Sequence, residues 1–218
     1  MELLSKNASP LFIIPFKPFP MGKKRLRRAV NSDDLVIRIQ KSLVNTVIRT
    51  IESLVLIKSM VILTPIIDQI SEIIDLKEYD FLSIIGQNPD EPLKKSLGEQ
   101  IREIVIDLEM YPVVVVMSDL VNLLPSTLKA VIVLLKEYDG VVVPTNDGGT
   151  GILGFNKQLI NSLDYFGVDS SKRFYEKWSD IPNIKVAKFL QQPILVDVDD
   201  EKDLSFLKWD WLEEKNKI

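Results

Sequence analysis

The chain has 218 residues, which is enough for one sizeable α/β core and short for two full domains, so we expect a single domain over residues 1–218. It contains neither cysteine nor histidine. This composition excludes disulfides, thiolate or imidazole metal ligands and a Ser-His-Asp triad, and leaves carboxylates, Lys or Arg, hydroxyls and hard metal ions for catalysis. The net charge of -4 argues against broad nucleic-acid binding. Because the sequence lacks a signal-peptide pattern and a membrane-spanning apolar run, we expect a cytoplasmic protein.

The first half of the chain alternates apolar runs with segments of helical period. Leu11–Phe16 predicts a buried strand, and a basic loop is expected from Lys17 to Arg28. Asn31–Asp33 offers caps for a long helix from Leu35 to Val55, in which apolar residues recur every four positions. Weaker signals predict two further strand–helix pairs, with strands at Met60–Leu63 and Phe81–Ile85 and helices at Ile66–Leu76 and about Leu93–Leu108.

In the second half, Val113–Met117 is an unbroken apolar run, as expected for a parallel strand with helices over both of its faces. Pro125 suits the first turn of a helix that continues to Tyr138. The remaining predicted elements are strands at Val141–Val143, Ile152–Phe155, Ile184–Phe189 and Ile194–Val198, a helix near Ser170–Trp178, and a C-terminal helix from about Asp200 that carries Leu204, Leu207 and Trp211. The alternation predicts an α/β fold with a mostly parallel, doubly wound sheet and helices on both faces.

Ligands of open α/β sheets lie beyond the carboxyl ends of the strands, and four segments place reactive side chains at such ends. The loop after the first strand carries Lys17, Lys23 and Arg25, which can neutralise a triphosphate. A solvated basic loop or a nucleic-acid patch is the alternative. Ser118-Asp119 follows the central strand, where the carboxylate could hold Mg²⁺ beside a phosphate or cap a turn.

The third segment is Asp197-Val198-Asp199. Residues two apart in a strand face the same side, so both carboxylates could bind one metal ion, although Asp199 or Asp200 could instead cap the next helix. The fourth is Asp147–Gly151, whose glycines permit close approach of an anion or form a plain turn. Together these segments supply what metal-assisted nucleotidyl transfer requires. An attacking phosphate oxygen is already ionised, so the reaction needs positioning and charge neutralisation rather than a histidine base.

Several motifs follow one another in order: Pro15-Phe16-Lys17, Lys23-Lys24-Arg25-Leu26, Val115-Val116-Met117-Ser118-Asp119-Leu120, Pro144 with Gly148-Gly149-Thr150, Gly167 with Ser170, and Asp197-Val198-Asp199 with Asp203-Leu204. From Ile13 to about Leu207 the chain resembles the 2-phospho-L-lactate guanylyltransferases of deazaflavin-coenzyme biosynthesis. These form a branch of the Rossmann-like, GT-A-type nucleotidyltransferase superfamily that also includes the molybdenum-cofactor guanylyltransferases.

The resemblance implies transfer of GMP from GTP to 2-phospho-L-lactate, or to phosphoenolpyruvate or 3-phosphoglycerate, with release of pyrophosphate. It implies Mg²⁺ ligation by Asp119, Asp197 and Asp199, and acceptor binding by Thr150, Gly167 and Ser170. It implies nucleotide binding by Pro15, Lys17, Lys23, Arg25, Gly98 and Ser118, of which Lys17, Lys23 and Arg25 are the catalytic residues that engage the triphosphate. The expected partners are GTP and a small phosphorylated hydroxy acid, without nucleic acid or membrane, and a homodimer is left open.

The chain departs from the family's pattern at several positions. The loop between Lys17 and Lys23 is one residue longer, Val121 replaces a proline, Gly151 replaces an asparagine, and Arg173 is the counterpart of the usual His or Arg after the Gly-x-x-Ser element. Gly98 stands where an asparagine would lie beside the nucleobase.

Two alternatives to guanylyl transfer stay open. One is a nucleotidyltransferase with another base or acceptor, such as a cytidylyl- or molybdopterin guanylyltransferase. The Pro-Phe-Lys opening counts against the molybdopterin enzymes, which usually begin with a Gly-Gly loop. The other is a non-catalytic nucleotide-binding homologue. The presence of Asp119, Asp197 and Asp199 together disfavours it.

Overall fold

The computed structural model describes residues 9–54, 59–68, 70–74, 81–86, 96–163 and 166–207. Its strands are β1 Leu11–Pro15, β2 Ser59–Thr64, β3 Leu82–Gly86, β4 Val113–Val116, β5 Leu120–Val121, β6 Gly140–Pro144, β7 Thr150–Phe155, β8 Val186–Lys188 and β9 Val196–Asp197. Its α-helices are α1 Lys24–Val30, α2 Asp33–Glu52, α3 Ile70–Ile73, α4 Leu97–Leu108, α5 Pro125–Leu134 and α6 Ser170–Ser179, and short 3₁₀ helices cover Lys157–Ser162 and Lys202–Phe206. Within these ranges, no helix is long and apolar enough to cross a membrane.

The predicted α/β fold with a mostly parallel sheet is confirmed. Seven strands form one sheet in the order β3-β2-β1-β4-β7-β6-β8. Strands β3, β2, β1 and β4 run parallel, β7 runs antiparallel to both of its neighbours, and β8 runs parallel to β6. The chain builds outward from β1 to β3 and then returns to place β4 on the other side of β1. Ligands of such sheets bind where the strand order reverses, so the crevice beyond β1 and β4 is the expected site.

Alternate residues of β1 enter different hydrophobic clusters, as the two-residue period of a strand requires. Phe12 and Ile14 pack on one face with residues of α2, α3 and α5. Leu11 and Ile13 pack on the other face with residues of α4, α6 and the first 3₁₀ helix. Helices therefore cover both faces of the sheet. This arrangement explains why β4 consists entirely of buried valines.

A third, smaller hydrophobic cluster lies outside the main sheet. It joins Leu26 of α1 to Val121 of β5 and Val196 of β9, and residues of α2 complete it. Strands β5 and β9 pair antiparallel as a separate two-stranded ribbon, with Leu120 opposite Asp197. This cluster fixes the segments that begin at Lys23, Asp119 and Asp197 relative to one another.

The prediction of a loop through Arg28 is wrong, because Lys24–Val30 forms α1. Leu26 is fully buried, and Val30 packs against the same cluster. These two positions are one helical turn apart and give the short helix an apolar side. The basic residues around them hide this pair in the sequence.

Other differences concern the ends of elements. Helix α5 ends at Leu134 rather than Tyr138, because the amides of Lys136 and Glu137 donate to carbonyls three residues earlier and tighten the chain. The C-terminal helix expected from Asp200 begins as a 3₁₀ turn at Lys202. The strands expected at Ile184–Phe189 and Ile194–Val198 shorten to β8 and β9, and β9 pairs with β5 instead of joining the main sheet.

Some predicted positions cannot be compared with the structure. Four of them lie outside the described residues: Val55 at the end of the first long helix, Leu76 at the end of the helix after β2, Leu93 before α4 and Trp211 near the C-terminus.

Helix α4 begins at Leu97 with a capping box: the Ser96 hydroxyl accepts from the Glu99 amide, and the Glu99 carboxylate accepts from the Ser96 amide.

Candidate active site

A cavity of about 570 Å³ opens where β1 and β4 end side by side. Its apolar walls come from the ends of three strands, the segment after β2 and the first turn of α4: Pro15, Phe16, Leu63, Pro65, Leu97 and Met117. Charged side chains also line it: Lys17, Lys23, Asp119 and Asp199. A pocket with apolar walls and a few converging charges is the usual form of a small-molecule site.

The loop after β1 has a fixed shape. The amides of Met21 and Gly22 both donate to the carbonyl of Pro18, at 3.0 Å. A Cβ at Gly22 would lie 2.5 Å from the carbonyl oxygen of Lys17, so this close approach requires glycine. The loop therefore turns back on itself and brings Lys17 and Lys23 to the same cavity.

Gln40 of α2 holds the loop from the helix side. Its Oε1 accepts from the amide of Phe19 at 2.9 Å, and its Nε2 donates to the carbonyl of Lys17 at 3.1 Å. We did not predict this residue. The available signal is that Gln40 interrupts the apolar series Val36, Val44 and Ile48, and a buried carboxamide inside an apolar stripe needs partners of its own.

Lys23 lies among three carboxylates. Its Nζ donates to Oδ2 of Asp119, to Oδ1 of Asp199 at 2.7 Å and, at the longer distance of 3.5 Å, to Oδ1 of Asp197. The side chain is only 8% exposed. On the outer side of the cluster, Nη2 of Arg25 donates to Oδ2 of Asp199 at 2.7 Å. The structure thus brings together these five residues from three separate parts of the chain.

The backbone explains why the three aspartates meet. Asp119 lies between β4 and β5, and its carbonyl accepts from the amide of Val198 at 3.1 Å. Asp197 is in β9, opposite Leu120 of β5. Asp199 lies beyond β9, so the expectation that both acidic residues share one strand face does not describe it. A turn after β9 instead sets the position of Asp199. In this turn the Asp203 carboxylate accepts from the amides of Asp199 and Asp200 at 2.9 and 3.0 Å.

The electrostatics of the cluster follow from burial and charge together. Burial alone would lower the pKa of Lys23, but the charges of Asp119, Asp197 and Asp199 outweigh it and raise that pKa above its ordinary value. Burial and the charge of Asp119 raise the pKa of Asp197 to about 8, although Lys23 opposes them. Burial alone would raise the pKa of Asp199, but Lys23 and Arg25 hold that pKa below the usual range.

The donor set suits a hard divalent cation. One carboxylate oxygen from each of Asp119, Asp197 and Asp199 lies within 4.8 Å of the other two. Carboxylate oxygens are the ligands preferred by Mg²⁺, Mn²⁺ and Ca²⁺, and the chain has no histidine or cysteine to favour zinc. The Asp triad could therefore bind a divalent metal ion.

The residues expected to hold the acceptor form a second group. The hydroxyls of Thr150 and Ser170, both buried, lie 2.8 Å apart, and the amide of Ser170 donates to the carbonyl of Gly167 at 3.0 Å. Because Met117 at the end of β4 donates its amide to the carbonyl of Gly151 at 3.0 Å, this group lies next to the segment that carries Asp119.

The Asp147–Gly151 segment forms a turn and the start of β7. Oδ1 of Asp147 accepts from the Thr145 hydroxyl at 2.6 Å and from the Gly149 amide at 2.9 Å. Gly148 has a φ of 85°, a conformation that favours glycine. The carbonyl of Gly148 accepts from the hydroxyl of Ser171 at 2.7 Å, which ties this turn to the start of α6.

The other residues expected to bind nucleotide lie at or near the cavity. Pro15, Lys17 and Ser118 line it. Gly98 is buried in the first turn of α4, and on either side of it Leu97 and Gln100 line the cavity. We did not predict Gln100, and no sequence pattern marks it, because a glutamine in the first turn of a helix is ordinary.

Several solved structures share this fold. A candidate nucleotide-diphospho-sugar transferase from Desulfovibrio desulfuricans G20 is 18% identical, with a TM-score of 0.71 over 96% of this chain and 89% of that chain. The 4-diphosphocytidyl-2C-methyl-D-erythritol synthase of Anaerococcus prevotii DSM 20548 is 13% identical, with a TM-score of 0.59 over 91% and 94% of the two chains. The manganese complex of Rv0371c from Mycobacterium tuberculosis H37Rv is 12% identical, with a TM-score of 0.56 over 96% and 100%.

At these identities the structures establish the fold alone. No curated protein matches the sequence significantly. The family described as guanylyl transferase CofC like, in contrast, matches residues 11–209, which is nearly the whole chain and includes every part of the cavity and the carboxylate cluster. The chain therefore belongs to this family, and it is a nucleotidyltransferase.

Proposed function

We propose that the protein transfers GMP from GTP to the phosphate of 2-phospho-L-lactate, or of a related acid such as phosphoenolpyruvate or 3-phosphoglycerate, and releases pyrophosphate. One observation carries the proposal. Three carboxylates, Asp119, Asp197 and Asp199, converge. Asp119 and Asp199 line a cavity that the basic loop after β1 also lines. The carboxylates can bind a metal ion, and the lysines of the loop can bind phosphates. The two kinds of charge side by side therefore suit a metal–triphosphate complex better than a metal ion or a triphosphate alone.

In this reaction a phosphate oxygen of the acceptor attacks the α-phosphorus of GTP, the bond from that phosphorus to the bridging oxygen breaks, and pyrophosphate leaves. Asp119, Asp197 and Asp199 would hold Mg²⁺, which supplies positive charge to the phosphates when bound. Lys17, Lys23 and Arg25 bind the triphosphate and the leaving group. The acceptor phosphate is already ionised, so no side chain has to remove a proton from it.

The acceptor is proposed to contact Thr150, Gly167 and Ser170. The support for this assignment is their place beside the end of β4, through the hydrogen bond from Met117 to Gly151. A small acid bound there would lie close to the segment that carries Asp119. The hydroxyls of Thr150 and Ser170 lie 2.8 Å apart, so one donates to the other, and the accepting hydroxyl keeps its own proton for a carboxylate or phosphate oxygen.

The direct test is to incubate the protein with Mg²⁺, each of the four common nucleoside triphosphates and each acid, and to measure pyrophosphate. We expect release with GTP and a phosphorylated hydroxy acid. Release with CTP but not with GTP would replace guanylyl by cytidylyl transfer. Absence of pyrophosphate with every pairing would contradict the proposal as a whole.

Gln100 is the side chain that we expect to distinguish nucleobases. It lines the cavity one turn after Leu97, and its carboxamide can both donate to and accept from a base edge. Replacing it with leucine should reduce the ratio of GTP to ATP affinity by about tenfold, the loss expected for one hydrogen bond. The measurement is the apparent Kd of each nucleotide by fluorescence titration.

The control for this variant is Gln158→Leu, which makes the same change at an exposed position in the first 3₁₀ helix. It should leave the GTP to ATP ratio unchanged. If Gln100→Leu weakens both nucleotides equally, Gln100 shapes the cavity but does not read the base.

A further inference from the structure

The position of Lys23 has a consequence for how a metal ion reaches the Asp triad. Its ammonium group contacts Asp119, Asp197 and Asp199, the same three carboxylates whose oxygens form the candidate metal site. Those oxygens lie within 4.8 Å of one another, so the ammonium of Lys23 and a divalent ion would compete for the same ligands. An ammonium and a divalent ion held there together would also repel each other strongly in this poorly solvated position.

We propose that Lys23 is the internal counter-ion of the carboxylate cluster, that it must leave the cluster before a divalent cation can bind, and that the triphosphate draws it away. The inference rests on the proposed function, since it takes the triad to be the metal site. It makes Lys23 a positioning residue in the nucleotide-free protein, in addition to a phosphate-binding residue once the nucleotide is present.

The charges favour an exchange of this kind. Three carboxylates crowded together repel one another, and the ammonium of Lys23, only 8% exposed, offsets that repulsion in the absence of metal. Arg25 also contacts the cluster, through Asp199, but its side chain is 66% exposed. If the ammonium of Lys23 left and no other cation took its place, the three carboxylates would carry an excess of negative charge. A divalent cation binds best to such a group of carboxylates.

A nucleotide bound in the cavity would offer Lys23 other negatively charged partners. Lys23 lines the cavity together with Lys17, so a triphosphate bound there would lie within reach of its flexible four-carbon stem. The nucleotide supplies negative charge to Lys23 at the moment that the cation takes over the carboxylates. Binding of nucleotide should therefore strengthen binding of metal, and by linkage the metal should strengthen binding of nucleotide by the same factor.

The backbone at Lys23 supports a specific role for this side chain. Lys23 has a φ of 57°, in the left-handed region that non-glycine residues seldom adopt, and it lies directly before α1. A glycine would fit this conformation with less strain. Two features on either side of Lys23 maintain this conformation. Before it, the amide of Gly22 donates to the carbonyl of Pro18, and after it, Leu26 is buried in the third hydrophobic cluster. Strain of this sort often marks functional positions.

The test is binding of Mn²⁺, measured by electron paramagnetic resonance, to the full-length protein without nucleotide. Lys23→Gln should bind Mn²⁺ at least about tenfold more tightly than the wild type, because the competing cation is gone. Lys24→Gln is the matched control: it removes the same charge one residue later, at an exposed position. Its Mn²⁺ affinity should stay within about twofold of the wild type, the change expected from a solvent-screened charge.

Two further variants keep the result interpretable. Lys23→Arg retains the positive charge and should retain the weak Mn²⁺ affinity of the wild type. Adding Asp119→Asn to Lys23→Gln should abolish the gain, which places the bound ion at the triad. If Lys23→Gln folds poorly alone, its thermal unfolding with and without Mn²⁺ gives the same answer, since Mn²⁺ should raise its melting temperature more than that of the wild type.

The inference is overturned if Lys23→Gln binds Mn²⁺ no more tightly than the wild type and Lys24→Gln. That outcome, together with Mg²⁺-dependent pyrophosphate release by the wild type, would leave the proposed function standing. A tenfold gain in Lys23→Gln without pyrophosphate release for any nucleotide and acid would support the exchange and contradict the proposed reaction.

Discussion

Replacing Asp119 with asparagine is expected to slow pyrophosphate release at least about a thousandfold while the protein stays folded. Asp119 lies between β4 and β5 and contributes one of the three oxygens of the candidate metal site. Asparagine keeps the shape of the side chain and one oxygen but loses the negative charge. A metal ion that stabilises the reacting phosphates supplies several kcal/mol, and about 4 kcal/mol corresponds to a thousandfold in rate.

The measurement is initial-rate pyrophosphate release at saturating nucleotide, with thermal unfolding monitored in parallel. Asp107→Asn makes the same substitution at an exposed position of α4 and should keep the wild-type rate. An Asp119→Asn variant that turns over as fast as Asp107→Asn would remove Asp119 from the site. A variant that fails to fold would instead show that its contact with Lys23 is mainly structural.

The main sheet could be predicted because its strands are distinct in the sequence. Val113–Val116 is buried on both faces, and its unbroken run of valine follows from the helices that pack there. The two-residue strand β5 carries no such signal, and the strand predicted at Ile194–Val198 does not reveal that β9 pairs with β5. Their pairing is decided by tertiary contacts of Val121 and Val196 in the third cluster, and a pattern that depends on distant partners is not visible in a short segment.

The same distinction applies to the candidate site. The aspartates could be proposed because each follows an apolar run, and the carboxyl ends of strands in an open sheet meet at one edge. That Lys23 lies inside the Asp triad could not be foreseen, because it depends on the left-handed turn at Lys23 and on the short helix α1. Gln40 escaped prediction for a related reason: its partners, Lys17 and Phe19, are more than twenty residues away.

The second large effect is expected at Gly22, where alanine should lower kcat/KM for the nucleotide by about a hundredfold. The added Cβ would lie 2.5 Å from the carbonyl oxygen of Lys17, which is backbone and cannot rotate away as a side chain would. The loop must therefore shift, and Lys17 and Lys23 shift with it. Misplacement of binding groups by about 1 Å can cost a hundredfold in rate.

The melting temperature should change little for Gly22→Ala, because the loop lies over the cavity and none of the three hydrophobic clusters includes Gly22. Lys24→Ala is the control directly after the loop, since its exposed side chain can be shortened without moving the backbone. Wild-type kcat/KM in Gly22→Ala would mean that the loop adapts freely, and that the cavity does not depend on its fixed shape. A fall in kcat/KM at unchanged melting temperature would instead show that the geometry of the phosphate-binding loop matters for activity independently of the stability of the fold. A substitution at a buried position of the sheet cannot show this, because it would change stability and activity together.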